Sequence, residues 1–200
     1  SEIVVQKFGG TSVGTVDRID SVAEIIKNAS KSNQIVVVVS AMGGETNRLV
    51  DLAKAFGDDP DKREFDALVS TGETVSSALL TMALHSKGIK AKSFSASQIS
   101  MRTTSSYSKA KILDVDAKKI LDVIDSDTIP IITGFQGVTE GGDVTTLGRG
   151  GSDTTAVAIA AQIDAVRCDI YTDVDGIFTT DPGVVPNAKK LDSITMEEML

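Results

Sequence analysis

The chain has 200 residues, enough to bury a sizeable core, so a single domain is the default expectation. Its 41% hydrophobic and 24% charged residues are ordinary for a soluble globular protein, while a formal net charge of −8 argues against a nucleic-acid-binding groove. A single cysteine excludes an intramolecular disulfide and favours a cytoplasmic protein. With one cysteine and one histidine, a zinc site or a Ser-His-Asp relay would be incomplete. The sequence shows neither a signal peptide nor a membrane span.

Short apolar runs alternate with segments of helical spacing along the whole chain. The pattern predicts strands over residues 3–6, 35–39, 91–94, 129–133 and 166–171. It predicts helices over residues 16–26, 65–69, 75–84, 117–124 and 152–162, and a further helix that carries Leu49, Val50, Ala53 and Phe56. Residues 35–39 are all β-branched, which is typical of a central strand covered on both faces. The alternation indicates an α/β fold, a three-layer sandwich with a largely parallel central sheet.

The polar connections predict where ligands bind. Gly88 is expected to end a helix. Residues 57–61 are expected to form an exposed acidic connection, and residues 103–108 to form a turn. Hairpins are expected at residues 134–146 and at Asp175-Gly176. Ligands of parallel sheets lie beyond the carboxyl ends of the strands. Candidate site residues are therefore expected in the segments 7–14, 40–44, 134–151 and 172–182.

Two glycine-bearing segments stand out among these loops. One is Lys7-Phe8-Gly9-Gly10-Thr11-Ser12, and the other is Leu147-Gly148-Arg149-Gly150-Gly151-Ser152-Asp153-Thr154-Thr155. Each is predicted to run into a helix start, where unpaired N–H groups attract an anion, and each carries a cation, Lys7 or Arg149. The pair indicates two anionic ligands, or one ligand held at both ends. Neither segment fits the P-loop or the dinucleotide fingerprint.

Each candidate residue also has a plain structural interpretation. Lys7 would then be a solvated lysine at a tight turn, and Asp153 would satisfy a helix dipole. Glu73, in a predicted break between two helices, would do the same. His85, near a helix C-terminus, and Cys168, within a strand, are expected to be structural.

Phosphoryl transfer is the chemistry that fits a lysine and an arginine on separate glycine loops, because its catalysis rests on positioning and on preset positive charge. Lys7 and the amides of Gly9 and Gly10 would hold the transferred group. Arg149 would bind a carboxylate, and Glu73 would pair with an ammonium group. This combination describes an amino acid that is phosphorylated on a carboxylate.

Five segments resemble the aspartate kinases (aspartokinases) of the amino-acid kinase superfamily, in the same order and along essentially the whole chain. The segments are residues 7–13, 39–42, 70–73, 146–155 and 171–176. The resemblance implies ATP-dependent phosphorylation of the β-carboxylate of L-aspartate to 4-phospho-L-aspartate, the first step toward lysine, threonine and methionine. It also implies Mg²⁺ held mainly by the ATP phosphates, with no protein metal site, and a homo-oligomer in the full-length protein without nucleic-acid or membrane partners.

The resemblance assigns roles to individual residues. Lys7 and Asp153 would be catalytic, with Asp153 orienting Lys7. The implied ATP-binding residues are Lys7, Phe8, Gly9, Gly10, Ser40, Thr172, Asp173, Phe178, Thr179, Asp181 and Pro182. The implied substrate-binding residues are Thr46, Glu73, Arg149, Gly150, Gly151 and Ser152. Two positions depart from the family pattern, since Phe178 replaces a more frequent Tyr and Gly183 replaces a usual Arg.

The last residues of the chain predict a further helix, and two other functions are alternatives to an aspartate kinase. Thr195 and Glu198 have capping-box spacing, so a helix is expected to begin close to Leu200. Because so short a helix is not stable alone, the chain is expected to be a fragment of a longer protein. The resemblance implies that residues 1–200 are an amino-acid kinase catalytic domain, incomplete at its C-terminus and without the regulatory ACT domains, that turns over poorly by itself. A kinase of glutamate, acetylglutamate or carbamate, and a ligand-binding module without catalysis, are the alternatives. Thr46, Glu73 and Arg149 favour a free amino acid.

Overall fold

The protein, seen in a computed structural model, is described for residues 2–172 and 177–180, the last four by their backbone. The strands in this part of the chain are β1 (Ile3–Phe8), β2 (Gln34–Val39), β3 (Ala91–Phe94), β4 (Arg102–Thr103), β5 (Ile112–Asp114), β6 (Ile129–Thr133), β7 (Gln136–Val138), β8 (Val144–Thr146), β9 (Arg167–Tyr171) and β10 (Ile177–Thr180). The helices are α1 (Val16–Ala29), α2 (Glu45–Ala53), α3 (Lys62–Val69), α4 (Thr71–Ser86), α5 (Ala117–Asp125) and α6 (Gly151–Gln162).

The main sheet has the strand order β10-β9-β1-β2-β6-β3. Its five strands from β9 to β3 are parallel, and β10 pairs antiparallel with β9 at the edge. Helices α1 and α4 cover one face, and α5 and α6 cover the other. The predicted α/β three-layer sandwich with a largely parallel sheet is confirmed.

The alternation of side chains along β1 decides which of its residues reach the functional end of the molecule. Val5 and Lys7 point to the face that α6 covers, while Val4 and Phe8 point to the face of α1 and α4. Phe8 is fully buried there and stacks on Tyr171, with ring centroids 4.5 Å apart. The neighbouring strand β2 is buried on both faces, as its β-branched residues predict.

Two helix predictions need correction at their ends. Val16 was expected on the apolar face of α1, but it is exposed, because it is the first residue of the helix and lies beyond the sheet. Phe56 was expected on the buried face of α2. That helix ends at Ala53, and the ring of Phe56 is fully exposed.

Helices α3 and α4 follow one another with only Ser70 between them. The predicted break over residues 70–73 is therefore wrong, because Thr71, Gly72 and Glu73 form the first turn of α4. Gly72 lets this turn approach the loop after β2, since a Cβ at this position would lie 2.7 Å from the Cβ of Ala41. By length and composition alone the stretch Lys62–Ser86 could cross a membrane, but half of it is buried inside the domain, as in a core helix.

A second, smaller sheet with the order β5-β4-β7-β8 lies beside the carboxyl end of the main sheet. Its β7–β8 pair is the hairpin predicted over residues 134–146. Strands β4 and β5 were not predicted, because two and three residues are too few to show alternation. The predicted turn at Asp175-Gly176 and the predicted helix start at Thr195 lie outside the described residues.

Candidate active site

A cleft of about 340 Å³ opens at the carboxyl ends of β1, β2 and β6. Four loops and three helix starts supply its walls. The lining residues are Lys7, Gly10, Ser40, Ala41, Met42, Gly43, Gly44, Thr46, Asn47, Glu73, Phe135, Gly148, Gly150, Gly151, Ser152 and Asp153. The two glycine-bearing segments of the sequence, about 140 residues apart, thus meet in one cleft.

Lys7 forms a buried ion pair on the floor of this cleft. Its Nζ atom lies 2.7 Å from Oδ1 of Asp153, and the two side chains are only 10% and 4% exposed. Strand β1 carries Lys7, and Asp153 is the third residue of α6, so the pair joins the end of the sheet to a helix start. A lysine held in this way is a fixed positive charge whose position a ligand need not organise.

Among the described residues, three helices begin at the cleft without a side-chain cap, and two of them, α2 and α6, directly follow a left-handed glycine. Gly44 precedes α2 and Gly150 precedes α6, both in the left-handed conformation, with φ of 84° and 71°. Neither N-terminus receives a hydrogen bond from a capping side chain. The first amide of each helix is occupied, because Glu45 donates to the Met42 carbonyl and Gly151 to the Gly148 carbonyl. The next N–H groups of both first turns and the positive ends of both helix dipoles are available to an anion.

The expectation that the first glycine loop leads into an anion-binding helix start is wrong. The helix that follows it, α1, is capped by the side chain of Thr15, which accepts a hydrogen bond from the Arg18 amide. The amide of Gly9 donates to the Tyr171 carbonyl at 3.1 Å and is also occupied. Gly10 does line the cleft, and its amide has no partner in the part of the chain that the structure describes. Besides α6, the uncapped helix start that follows a left-handed glycine at the cleft is that of α2.

Glu73 is a buried carboxylate in the wall of the cleft, 2% exposed. Its Oε2 atom accepts a hydrogen bond of 3.3 Å from the Ala41 amide, while Oε1 has no partner among the described residues. Burial raises the pKa of Glu73 to about 8, and hydrogen bonds from backbone amides oppose this only in part. Among the described residues Glu73 forms no ion pair, so a cationic group of a ligand bound beside it would favour its charged form.

Close backbone packing holds the start of α6 against the end of β6. A Cβ on Gly134 would lie 2.7 Å from Oγ of Ser152, and a Cβ on Gly151 would lie 2.7 Å from Cδ1 of Phe135. Phe135 itself has a φ of 71°, a left-handed conformation that is rare for a bulky residue. Its amide donates to Oγ1 of Thr155 on α6, which helps to hold it there.

The structure brings together most of the residues that the sequence singled out. In the cleft are Lys7, Gly10, Ser40, Thr46, Glu73, Gly150, Gly151, Ser152 and Asp153. Four others, Phe8, Gly9, Arg149 and Thr172, do not line it. The side chain of Phe8 lies in the core, Arg149 is exposed between two glycines that do line the cleft, and the Thr172 carbonyl accepts a hydrogen bond from Ser12.

The remaining nucleotide-site candidates cannot be placed as side chains. Phe178 and Thr179 belong to β10, which is described by its backbone. Asp173, Asp181 and Pro182 lie outside the described residues, as do Gly183 and the expected helix at the end of the chain.

Seven residues of the cleft were not named individually as candidates, although all but Asn47 lie in the segments 40–44 and 134–151 that were predicted to carry the site. They are Ala41, Met42, Gly43, Gly44, Asn47, Phe135 and Gly148. A signal was present for the first four, because Ala41 to Gly44 follow a strand that was recognised as central, where ligands of parallel sheets bind. Phe135 had a weaker signal, since it follows Gly134 directly after a predicted strand.

The single histidine and the single cysteine have the structural roles expected of them. His85 Nε2 lies 2.7 Å from the Ala91 carbonyl, at the end of α4. Cys168 is fully buried in β9, and burial raises the pKa of its thiol to about 12. Within residues 2–172 and 177–180, no three His, Cys, Asp or Glu side chains gather as metal ligands.

The cleft as a whole offers opposite charges to one small molecule. Lys7 and the starts of α2 and α6 attract anionic groups, and Glu73 attracts a cation. A zwitterion with an additional acidic group matches this arrangement, and so does an anionic second ligand beside it.

Comparison with known proteins agrees with this chemistry. Residues 2–200 match the model of the amino acid kinase family. The chain is 55% identical over 199 residues to an aspartate kinase of Pseudomonas putida, covering 99% of this chain and 48% of that protein. It is likewise 55% identical over 199 residues to an aspartokinase of Geobacillus stearothermophilus, covering 99% of this chain and 49% of that protein.

A solved structure supports the same relationship. Aspartokinase III of E. coli, in complex with aspartate and ADP, superposes with a TM-score of 0.78 at 31% identity, over 96% of this chain and 54% of that one. The chain spans about half the length of the curated relatives it matches.

Proposed function

The chain belongs to the amino acid kinase family, and on that premise we propose that its cleft transfers the γ-phosphoryl group of ATP to the β-carboxylate of L-aspartate. The product is 4-phospho-L-aspartate, a mixed anhydride, and ADP leaves. In the proposed pathway role, this is the first step toward lysine, threonine and methionine.

The reaction needs no general base. A β-carboxylate oxygen forms a bond to the γ-phosphorus while the bond from that phosphorus to the β,γ-bridging oxygen breaks, and the bridging oxygen leaves on ADP. The attacking carboxylate is already ionised at neutral pH, because an ordinary aspartate has a pKa of about 3.9. The work left to the protein is to align the two substrates and to neutralise the charge on the transferring group.

Lys7 is the residue that we propose neutralises this charge. Its ammonium group is held by Asp153 at the floor of the cleft, next to Gly10 and Ser40. Asp153 acts through Lys7 as a positioning residue. Because the lysine is fixed before the substrates arrive, its attraction for the equatorial oxygens is available without reorganisation.

The observation that carries the choice of substrate is the pairing of charges across the cleft. Glu73 has a free oxygen and takes the ammonium group of aspartate, which restores its carboxylate form. The start of α6, through Gly150, Gly151 and Ser152, receives the α-carboxylate, and Arg149 folds in from the rim to cover it. The relative that was solved with aspartate and ADP supports the choice of L-aspartate as the substrate.

Magnesium and the nucleotide enter the proposal together. Mg²⁺ would be held mainly by the ATP phosphates, where it would supply further positive charge. Thr172, Asp173, Phe178, Thr179, Asp181 and Pro182 complete the proposed nucleotide site around base and ribose. We further propose a cytoplasmic homo-oligomer without nucleic-acid or membrane partners; the net charge of −8 supports the absence of nucleic acid.

Trapping of the acyl phosphate by hydroxylamine tests the proposal. With ATP and Mg²⁺, the full-length gene product is expected to form the hydroxamate of L-aspartate, and that of L-glutamate far more slowly. Lys7→Ala is expected to lower kcat by about 10²-fold or more, because charge stabilisation in the transition state is lost.

Lys87→Ala is the matched control for loss of a lysine. Lys87 pairs with Asp20 and Glu24 away from the cleft, so its removal should leave turnover unchanged. Faster hydroxamate formation with L-glutamate would overturn the choice of substrate. Normal turnover of Lys7→Ala would overturn the role of the lysine.

A further inference from the structure

Asp66 is a fully buried carboxylate that lies outside the cleft. It sits on α3 with 0% exposure, and among the described residues it forms no ion pair with a Lys or Arg. Its Oδ2 atom accepts hydrogen bonds of 2.8 Å from the amides of Ser108 and Thr146, and its Oδ1 atom accepts one of 2.9 Å from the Thr146 hydroxyl. A buried carboxylate satisfied only by neutral donors is costly, so its contacts identify what it holds in place.

Both segments that Asp66 holds lead to the substrate side of the cleft. Thr146 is the last residue of β8, and the loop of Gly148, Arg149 and Gly150 begins directly after it. Ser108 has a left-handed φ of 68°, and its carbonyl lies against Gly148, where a Cβ would approach it to 3.2 Å. The Asp66 carboxylate therefore fixes the two chain segments, at Ser108 and at Thr146, that contact or precede the loop of Arg149.

The helix that carries Asp66 also leads to the other substrate contact. After α3 and Ser70 comes α4, and Glu73 follows Asp66 by seven residues, about two helical turns. The side chain of Gln136, 4% exposed, donates from Nε2 to the Ser70 carbonyl at 2.6 Å and to Oγ1 of Thr74 at 3.2 Å. The joint between the two helices is thus pinned to the chain next to Phe135.

We propose that Asp66 is a positioning residue that sets the distance between the ammonium-binding Glu73 and the carboxylate-binding loop of Arg149. The end of α3 and the start of α4, from Asp66 to Glu73, join the two subsites. The hydrogen bonds of Asp66 with Thr146 and Ser108 fix the first end of this segment, and the hydrogen bonds of Gln136 fix the connection between α3 and α4. The spacing of charges selects an amino acid of one length, so Asp66 contributes to binding and selection of the amino acid and leaves the ATP side of the cleft untouched.

This inference rests on the proposed function, and steady-state kinetics with both substrates test it. In the full-length gene product, Asp66→Ala is expected to raise KM for L-aspartate by about tenfold or more, because a misplaced subsite loses aligned contacts. KM for ATP is expected to change by less than about twofold, since Lys7 and Gly10 keep their places. Asp66→Asn is expected to restore most of the affinity: its amide oxygen can accept from both amides, and its NH₂ group can donate to the Thr146 hydroxyl.

Asp61→Ala is the matched control on the same helix. Asp61 caps α3 by accepting a hydrogen bond from the Glu64 amide, so its loss weakens the helix without touching the arginine loop. It should lower the melting temperature and leave both KM values unchanged. If Asp66→Ala does not fold, Thr146→Val carries the test, with KM for L-aspartate raised about two- to fivefold by loss of one hydrogen bond and KM for ATP unchanged.

Amide hydrogen exchange in residues 147–151 provides a readout that does not depend on turnover. Exchange is expected to be faster in Asp66→Ala, or in Thr146→Val, than in the original protein and normal in Asp61→Ala. If the original protein forms no aspartyl hydroxamate, the proposed function fails, and exchange still decides whether Asp66 holds the loop. An unchanged KM for L-aspartate, an equal rise in both KM values, or unchanged exchange would overturn the inference.

Discussion

At the scale of single residues, Glu73 and Arg149 are the two side chains proposed to bind the charged groups of the amino acid, and they stand in opposite surroundings. Glu73 is 2% exposed and already aimed into the cleft, whereas Arg149 is exposed and surrounded by glycines. An exposed arginine loses side-chain conformational entropy when it binds a ligand, and it remains hydrated until the ligand arrives. Arg149 should therefore act mainly on the stability of the bound complex.

Arg149→Ala is expected to raise KM for L-aspartate by about tenfold or more and to change kcat much less, because a charged hydrogen-bond partner of the bound substrate is lost. Initial-rate kinetics at saturating ATP measure both quantities. Arg18→Ala, which removes an exposed arginine from α1, is the control and should behave as the original protein does. An unchanged KM for L-aspartate in Arg149→Ala would contradict the assigned contact.

Residue types alone were enough to find the charged members of the cleft. The rule for the ends of parallel strands selects Lys7, whereas Glu73 and Asp153 were noticed as acidic residues near predicted helix starts. The same rule gives no reason to notice Asp66, because that residue occupies an ordinary position within an amphipathic helix. Its partners Ser108 and Thr146 are 42 and 80 residues away in the chain, and only the folded structure brings them together.

At the scale of elements, the contact between the end of β6 and the start of α6 is a packing joint made by glycine. The missing side chain at Gly134 gives Ser152 its place at the first turn of α6. Because that turn supplies amides to the cleft, the packing of two elements and the position of an anion site are the same feature.

Gly134→Ala is expected to destabilise the fold by about 1–3 kcal/mol, the usual cost of forcing an extra methyl group into a packed interior. The start of α6 should also shift, so KM for L-aspartate should rise. Urea unfolding and initial-rate kinetics measure the two effects. Gly141→Ala is the control, since the nearest atom to its Cβ would be Oγ1 of Thr139 at an ordinary 3.8 Å. Equal stability of the two variants would contradict the packing account.

Element identities followed from hydrophobic spacing more reliably than the roles of helix ends. The sequence shows Thr15 before α1, a good capping residue, and only glycine before α2 and α6. This difference distinguishes a helix whose first amides are capped by a side chain from one whose first amides are not. Because Lys7 lies beside the first glycine loop, an anion-binding helix start was nevertheless predicted at α1, where Thr15 caps the helix. Strands β4 and β5 were missed because their pairing depends on distant partners and not on local pattern.

At the scale of the whole molecule, the buried carboxyl group of Glu73 links the stability of the fold to pH. Its pKa is about 8 in the folded protein, against an ordinary value of 4.5. The fold therefore prefers the protonated form. The stability that Glu73 contributes is fully present below about pH 4.5 and is lost as the pH rises through about 8.

Glu73→Gln is expected to be more stable than the original protein above pH 8, with the difference shrinking to its acid-limit value below pH 4.5. The change across this window should amount to a few kcal/mol, since each pKa unit corresponds to about 1.4 kcal/mol. Urea unfolding without ligand, repeated across the pH range, measures it. Glu140→Gln, at an exposed position, should show no such trend. A pH-independent difference for Glu73→Gln would contradict the raised pKa.

The cleft itself could be located from the sequence, but its dimensions could not. The order of strands places β1 between β2 and β9, and this order arises from pairing across more than 100 residues. Hydrophobic patterning predicts that such strands exist and are parallel, without saying which are neighbours. The distance between Lys7 and Glu73 follows from that order, so the charges could be named beforehand while their spacing could not.

The same strand order decides when each strand can pair with its neighbours while the chain is being synthesised. Strand β1 emerges first, yet one of its two neighbours, β9, is complete only at Tyr171. Until then a nascent chain displays an apolar edge with unsatisfied backbone groups, which invites pairing with other chains. A chain that ended before β9 would leave β1 as an unpaired edge strand, and such a chain is expected to associate with other chains through that edge.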